Sequence, residues 1–294
     1  MMMKSTGEIA VLALLLLLAI YYLLISDANI LGLNRYYNTH LPSKDPRFDP
    51  LKHCTTPFGT FLGVAHGIPA YSNCHRSFRS NRLILTRFGS PDVFLEHSSD
   101  QEGSFISGSP WAATEYVARF LFHTKGITIH DPGTTQEIWS IRYFYNPLST
   151  KHSDNLRKYE PIQLENFMEV KTAKERKRLA PKFADVVVWA SHPERELDDG
   201  HAAVVVHVED DVEAAGGEAQ LREMQKEHTQ PQLVYIAEQN FDNKDWEGKN
   251  YSRVLRFSWK NGKEMLLEDS DDYNIIGRVR PGNLKRDDMD EGDL

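Results

Sequence analysis

Residues 198–208 read Asp-Asp-Gly-His-Ala-Ala-Val-Val-Val-His-Val, and this stretch decides the fold. Ala202–Val208 is an apolar run rich in β-branched residues and entered through a glycine, the pattern of a buried strand. Asp185–Trp189, Leu233–Ala237 and Arg253–Trp259 repeat it on either side. The last meets Asn261-Gly262, a tight-turn signal, before a further short strand at Met265–Leu267. Together these segments predict an antiparallel sheet in the second half of the chain.

Toward the N-terminus the period becomes helical. Ser109 supplies an N-cap and Pro110 a first helical position, Val117, Phe120 and Leu121 space an apolar face, and Gly126 ends the helix. Thr134–Glu137 has the form of a capping box, opening a second helix through Ile138 and Ile141 that stops at Asn146-Pro147. Glu165–Leu179 is charged and predicts a surface helix, and Glu209–Pro231 also has helical composition. Helices before strands predict an α+β fold, with N-terminal helices packed on the sheet.

Ile9 to Ile25 is apolar without a single charge, just long enough to cross a thin hydrocarbon core at about 1.5 Å per residue. It predicts one transmembrane helix preceding the domain, a signal-anchor in a single-pass membrane protein. Tyr21 and Tyr22 suit an interface, and the domain is expected on the lumenal or external side. A cleaved signal peptide is the rival reading, since Ser26 and Ala28 resemble a cleavage site. The expected organisation is a flank at 1–8, the anchor at 9–25, a proline-bearing tether at 26–55, a folded domain at 56–281 and an acidic, disordered tail at 282–294. The formal charge of −8, with no long basic run, argues against a nucleic-acid partner. Cys54 and Cys74 are the only cysteines and permit at most one internal disulfide. The histidines show no metal-ligand spacing, so neither metal nor cofactor is expected.

Three places carry chemistry: His201 at a strand start, Glu238-Gln239-Asn240 at a strand end, and the N-terminus of the Ser109 helix. A thiol enzyme needs such parts, because a helix N-terminus lowers a thiol pKa and a histidine, oriented by a side-chain oxygen, manages the proton. The bland reading is a surface histidine, a solvated carboxylate and a core helix.

Several blocks favour the first reading. Pro57-Phe-Gly-Thr-Phe-Leu-Gly-Val-Ala65 and Ala70-Tyr71-Ser72-Asn73 resemble the start of the amidase domain of bifunctional glutathionylspermidine synthetase/amidase and of trypanothione synthetase. Trp111, Glu115, Tyr116 and Arg119 resemble that family's nucleophile helix, usually Trp-Gln-Cys-Val-Glu-Phe-Ala-Arg-Arg. Glu137-Ile138-Trp139, Asp199-Gly200-His201-Ala202-Ala203-Val204 and Ile236-Ala237-Glu238-Gln239-Asn240 are similar to further blocks in the same order. The resemblance implies a papain-like, CHAP-type cysteine amidase fold over about 56–281. It implies His201 as base, Glu238 as the group that orients it, and Asn240 beside them. Tyr71, Ser72, Trp111, Glu115 and Arg119 are then expected at the substrate.

The family's cysteine falls on Ala113, and the oxyanion-hole glutamine before it falls on Ala112. An alanine methyl has no proton to give and no lone pair to attack with. The resemblance therefore implies a catalytically inactive member that binds a ligand or partner in its groove, a small peptide or polyamine conjugate or another protein. Two other readings stand beside it: an active thiol amidase whose nucleophilic cysteine was replaced by Ala113 in this version, and use of Cys74 as a substitute nucleophile. No synthetase region is expected in a chain of this length.

Overall fold

Val186–Trp189 and His201–Val206 are buried at every residue, which only a strand covered on both faces allows. They form the middle of the molecule. The computed structural model describes residues 53–76, 78–80, 82–87, 89–95, 103–149 and 157–284. The described chain is a mixed α/β structure with few helices, built on an eight-stranded antiparallel sheet.

In chain order the strands are β1 (Phe61–Ala65), β2 (Ile68–Tyr71), β3 (Ile84–Arg87), β4 (Ser90–Leu95), β5 (Ser104–Gly108), β6 (Phe144–Tyr145), β7 (Lys158–Glu165), β8 (Val186–Trp189), β9 (His201–Asp210), β10 (Gln232–Ala237), β11 (Arg253–Lys260), β12 (Glu264–Glu268) and β13 (Ile275–Leu284). Among the described residues the helices are α1 (Ala113–Lys125), α2 (Ala173–Leu179) and α3 (Glu218–Glu227), with 3-10 turns at Thr135–Ser140 and Pro193–Arg195. The large sheet runs β12-β11-β10-β9-β8-β13-β7-β6; β1-β2 make a hairpin, and β4-β3-β5 a small sheet.

Alternation along the central strands splits the core into two layers. Val186, Val188, Ala202 and Val204 face α1, meeting Tyr116, Val117, Phe120 and Leu121. Val187, Trp189, Ala203 and Val205 face the other way, against Val234, Phe241, Leu255 and Phe257. Each fully buried side chain of this size contributes about 1.5–3 kcal/mol, so α1 is held by its apolar face more than by helix propensity.

The predicted strands at Asp185–Trp189, Ala202–Val208, Leu233–Ala237, Arg253–Trp259 and Met265–Leu267 are β8 to β12. The expected order of helices before strands is corrected, because β1 to β5 precede α1. Those early strands are short, and their pairing is not visible in local periodicity. Nor does α1 start at Pro110. Trp111 has φ +63°, a left-handed turn no helix continues through, so the helix opens at Ala113 behind Ala112 without a side-chain cap. Its end at Gly126, with φ +68°, is as predicted. The capping-box helix is only the 3-10 turn, where Glu137 Oε2 accepts from Gly133 N at 2.9 Å instead of closing the box. The predicted helix over Glu165–Leu179 shrinks to α2, whose cap is Thr172, accepting from Glu175 N.

The single-pass membrane expectation is also corrected: among the described residues no helix is long and apolar enough to cross a membrane. The run 9–25, the flank before it, most of the 26–55 segment and residues 285–294 lie outside the described residues. At the end of that segment, Cys54 is disulfide-bonded to Cys74 and Thr55 N donates to Cys74 O at 3.0 Å. The disulfide removes Cys74 as a substitute nucleophile, since a bonded sulfur has no thiolate to offer.

Candidate active-site cleft

A cleft of about 450 Å³ opens where the N-terminus of α1 meets the start of β9. Ala112, Ala113 and Thr114 line it from the helix, and Asp198–His201 from the strand entry. Arg76, Arg79, Glu196, Asp198, Asp199 and Asn240 also border it. The helix is in position because its buried face docks on β9.

Gly200 makes the turn that delivers His201. It has φ +70°, and a Cβ there would sit 2.6 Å from the Trp189 carbonyl oxygen and 3.0 Å from Gln136 Cβ. Gln136 N donates to Asp199 O at 2.8 Å, so the 3-10 turn braces the same loop. This is the physical need behind the glycine in Asp199-Gly200-His201.

His201 is buried, packed between Trp189 (centroids 5.2 Å apart) and Phe241 (4.9 Å). Its Nε2 lies 2.7 Å from Glu238 Oε2. Glu238 is placed one residue past β10, and Arg253 Nε and Nη2 donate to its two oxygens at 2.6 and 3.2 Å. Ser252 Oγ adds a bond to Oε1 at 3.1 Å. Burial drives the imidazole below its usual pKa, although Glu238 pulls it upward. Burial pushes the Glu238 carboxyl up, but Arg253 and then His201 outweigh it and hold it well below the usual carboxylate range. The pair is a neutral-leaning base beside an ionised carboxylate.

Ala113, His201 and Asn240 thus meet at one cleft, with Glu238 behind His201 and Ala112 beside Ala113. Asn240 has φ +62° and donates from Nδ2 to Arg76 O at 3.3 Å. The residues expected at the substrate lie elsewhere. Glu115 and Arg119 are fully buried and bonded to each other, with Arg119 Nε donating to Oε1 at 2.6 Å. Gln239 Nε2 ties Glu115 Oε2 at 2.7 Å to Ala112 O at 3.1 Å, so the pair braces the helix start from inside. Ser72 is buried, accepting from Thr56 Oγ1 at 2.6 Å and Cys74 N at 2.9 Å. Tyr71 and Trp111 stack on each other, with centroids 4.4 Å apart, outside the cleft lining.

No family model matches the chain. The bifunctional glutathionylspermidine synthetase/amidase of Escherichia coli (strain K12) is 24% identical over 223 residues, covering 75% of this chain and 29% of that protein. The glutathionylspermidine synthase of Crithidia fasciculata is 24% identical over 241 residues, 81% of this chain and 27% of its own length. The chain is a distant relative of these enzymes. It spans less than a third of either.

Sequence reading missed the groups behind the pair. Arg253, Asp269 and Trp189 converge there, with Trp189 Nε1 donating to Asp269 Oδ2 at 2.8 Å and Arg253 Nη1 to both Asp269 oxygens at 3.0 and 3.1 Å. Arg253 was legible only as the first residue of a strand, and Asp269 as one acid among several in a loop. The described residues contain no group of three or more His, Cys, Asp or Glu placed to hold a metal ion.

Proposed function

We propose that the chain is a CHAP-type, papain-like amidase module that binds its ligand without cleaving it, because Ala113 stands at the nucleophile position. The observation that carries this reading is the convergence of the α1 N-terminus at Ala113 with His201, itself bonded to Glu238, at one cleft. A thiolate at that helix end would be favoured by the dipole, and His201 would share its proton. With alanine there, the groove can hold an amide but has no atom to attack it. Loss of a nucleophile typically removes several orders of magnitude in rate.

The ligand class is a small peptide or polyamine conjugate, or a protein segment entering the groove, with glutathionylspermidine the first compound to test. A second reading is an active thiol amidase whose cysteine was replaced in this version. The retained His201–Glu238 pair, held at 2.7 Å, favours it.

The test uses the unaltered full chain, Ala113→Cys, and Ala112→Gln/Ala113→Cys, assayed for glutathionylspermidine hydrolysis and for alkylation of the new thiol. No turnover by the unaltered chain is expected. Thiol-type hydrolysis by that chain overturns the binding reading. Turnover by either cysteine variant places the lost chemistry at these two positions. If both variants fold and alkylate but cleave nothing, the groove does not accept this conjugate.

A further inference from the structure

Arg253 opens β11, opposite Ile236 of β10, so its side chain reaches Glu238 just beyond the strand end. Its guanidinium is held on several sides. Nε and Nη2 grip both oxygens of Glu238, while Nη1 reaches Asp269 at 3.0 Å and Asp271 at 3.2 Å. Its Cζ lies 3.7 Å from the centroid of Phe241, the ring that also packs on His201. A planar fork with fixed donors matches a carboxylate in a way that lysine cannot.

This geometry has a chemical consequence. A carboxylate whose two oxygens are both held by a guanidinium stays ionised and can only accept. The proton between His201 Nε2 and Glu238 Oε2 therefore belongs to the imidazole. In the neutral ring the lone pair then sits on Nδ1. We propose that Arg253 is a positioning residue that, acting through Glu238, locks His201 as the Nε2–H tautomer and leaves Nδ1 as its single basic atom. Only the use made of that base rests on the amidase reading above. The tautomer itself is a property of the chain as it stands.

Glu238 faces the ring from the end of β10, Arg253 from β11 and Asp269 from the loop after β12, while Asp198 and Asp199 precede it at the cleft. Glu238 and Asp269 raise its proton affinity, whereas burial and Arg253 lower it. Removing the guanidinium charge is therefore expected to move the His201 titration upward and to loosen the tautomer.

The experiment is nitrogen-15 NMR of histidine-labelled full-length chain, with His201 assigned by His201→Gln. In the unaltered chain the Nε2–H tautomer is expected, titrating below 6.5. Arg253→Met is expected to titrate higher and to show both tautomers, with Arg253→Lys between the two. Arg253→Gln replaces the methionine variant if that one does not fold. An Nδ1–H tautomer in the unaltered chain overturns the proposal, as does an unchanged titration and tautomer in a folded, charge-free variant. Neither result depends on whether Ala113→Cys regains activity, so failure here and failure of the amidase reading are separable.

Discussion

Arg119 and Glu115 show how a single residue can mislead. Both sit in the block that resembles a nucleophile helix, yet both side chains are fully buried and bonded to each other, to Gln239 and to Pro69 O. Breaking such a pair from one side leaves an uncompensated buried charge, which typically costs about 3–5 kcal/mol. Arg119→Met is therefore expected to lower denaturant stability by about that much. Glu115→Leu/Arg119→Met is expected to recover a large part of it. Equal losses in the single and double variants would show that the pair's charges are not what holds the helix start.

Among the elements, the segment after β2 depends on a covalent tie. The Cys54–Cys74 disulfide joins residues 20 apart in sequence and holds the chain entering the domain against the loop after β2 that leads to Arg76 and Arg79. Closing a loop of that size restricts the unfolded chain by about 3 kcal/mol in the entropic account. Reductant, or Cys54→Ser/Cys74→Ser, is expected to lower the unfolding midpoint to match. It should also expose the Arg79 contacts to Gly133 and Asp131 to proteolysis. An unchanged midpoint under full reduction would mean that the hydrogen bonds from Thr55 and Thr56 suffice to hold this segment.

At the scale of the whole molecule, pH is a direct probe of the buried pair. His201 is held below 6.5 by burial, so in the folded state it resists a proton that the unfolded chain takes up as pH falls past 6.5. Glu238 is held below 4.5 despite burial, chiefly by Arg253, and its contribution is lost as pH falls further below that value. Both effects are present in full at neutral pH and run in the same direction. Asp131, raised by burial, opposes them in part. Stability is expected to fall steadily between pH 6.5 and below 4.5. The first part of that fall should shrink in His201→Gln, leaving the share of His75, His123 and His130, whose imidazoles burial also holds low. A flat profile over the upper part of this range in the unaltered chain would show that the folded imidazole binds its proton as readily as the unfolded one.

The strands β8 to β12 were legible in the sequence because runs such as Val186-Val-Val-Trp189 and Ala202-Ala-Val-Val-Val206 have no amphipathic helical alternative. His201, Glu238 and Asn240 were legible as polar residues at the ends of those runs. The alanines at 112 and 113 were plain to read, and they set the central question of the chemistry. Local pattern did not show that β1 to β5 come before the first helix, because those strands are short and their partners are set by distant contacts. Nor did it show that Trp111 turns left-handed and delays α1 to Ala113. Only the packed structure joined Arg253 and Asp269 to the histidine, or buried Glu115, Arg119 and Ser72 away from the cleft. The physical reason is one of range: periodicity reports which face of an element is apolar. The partner of a charge lying 15 or more residues away is decided by which strands the sheet brings side by side.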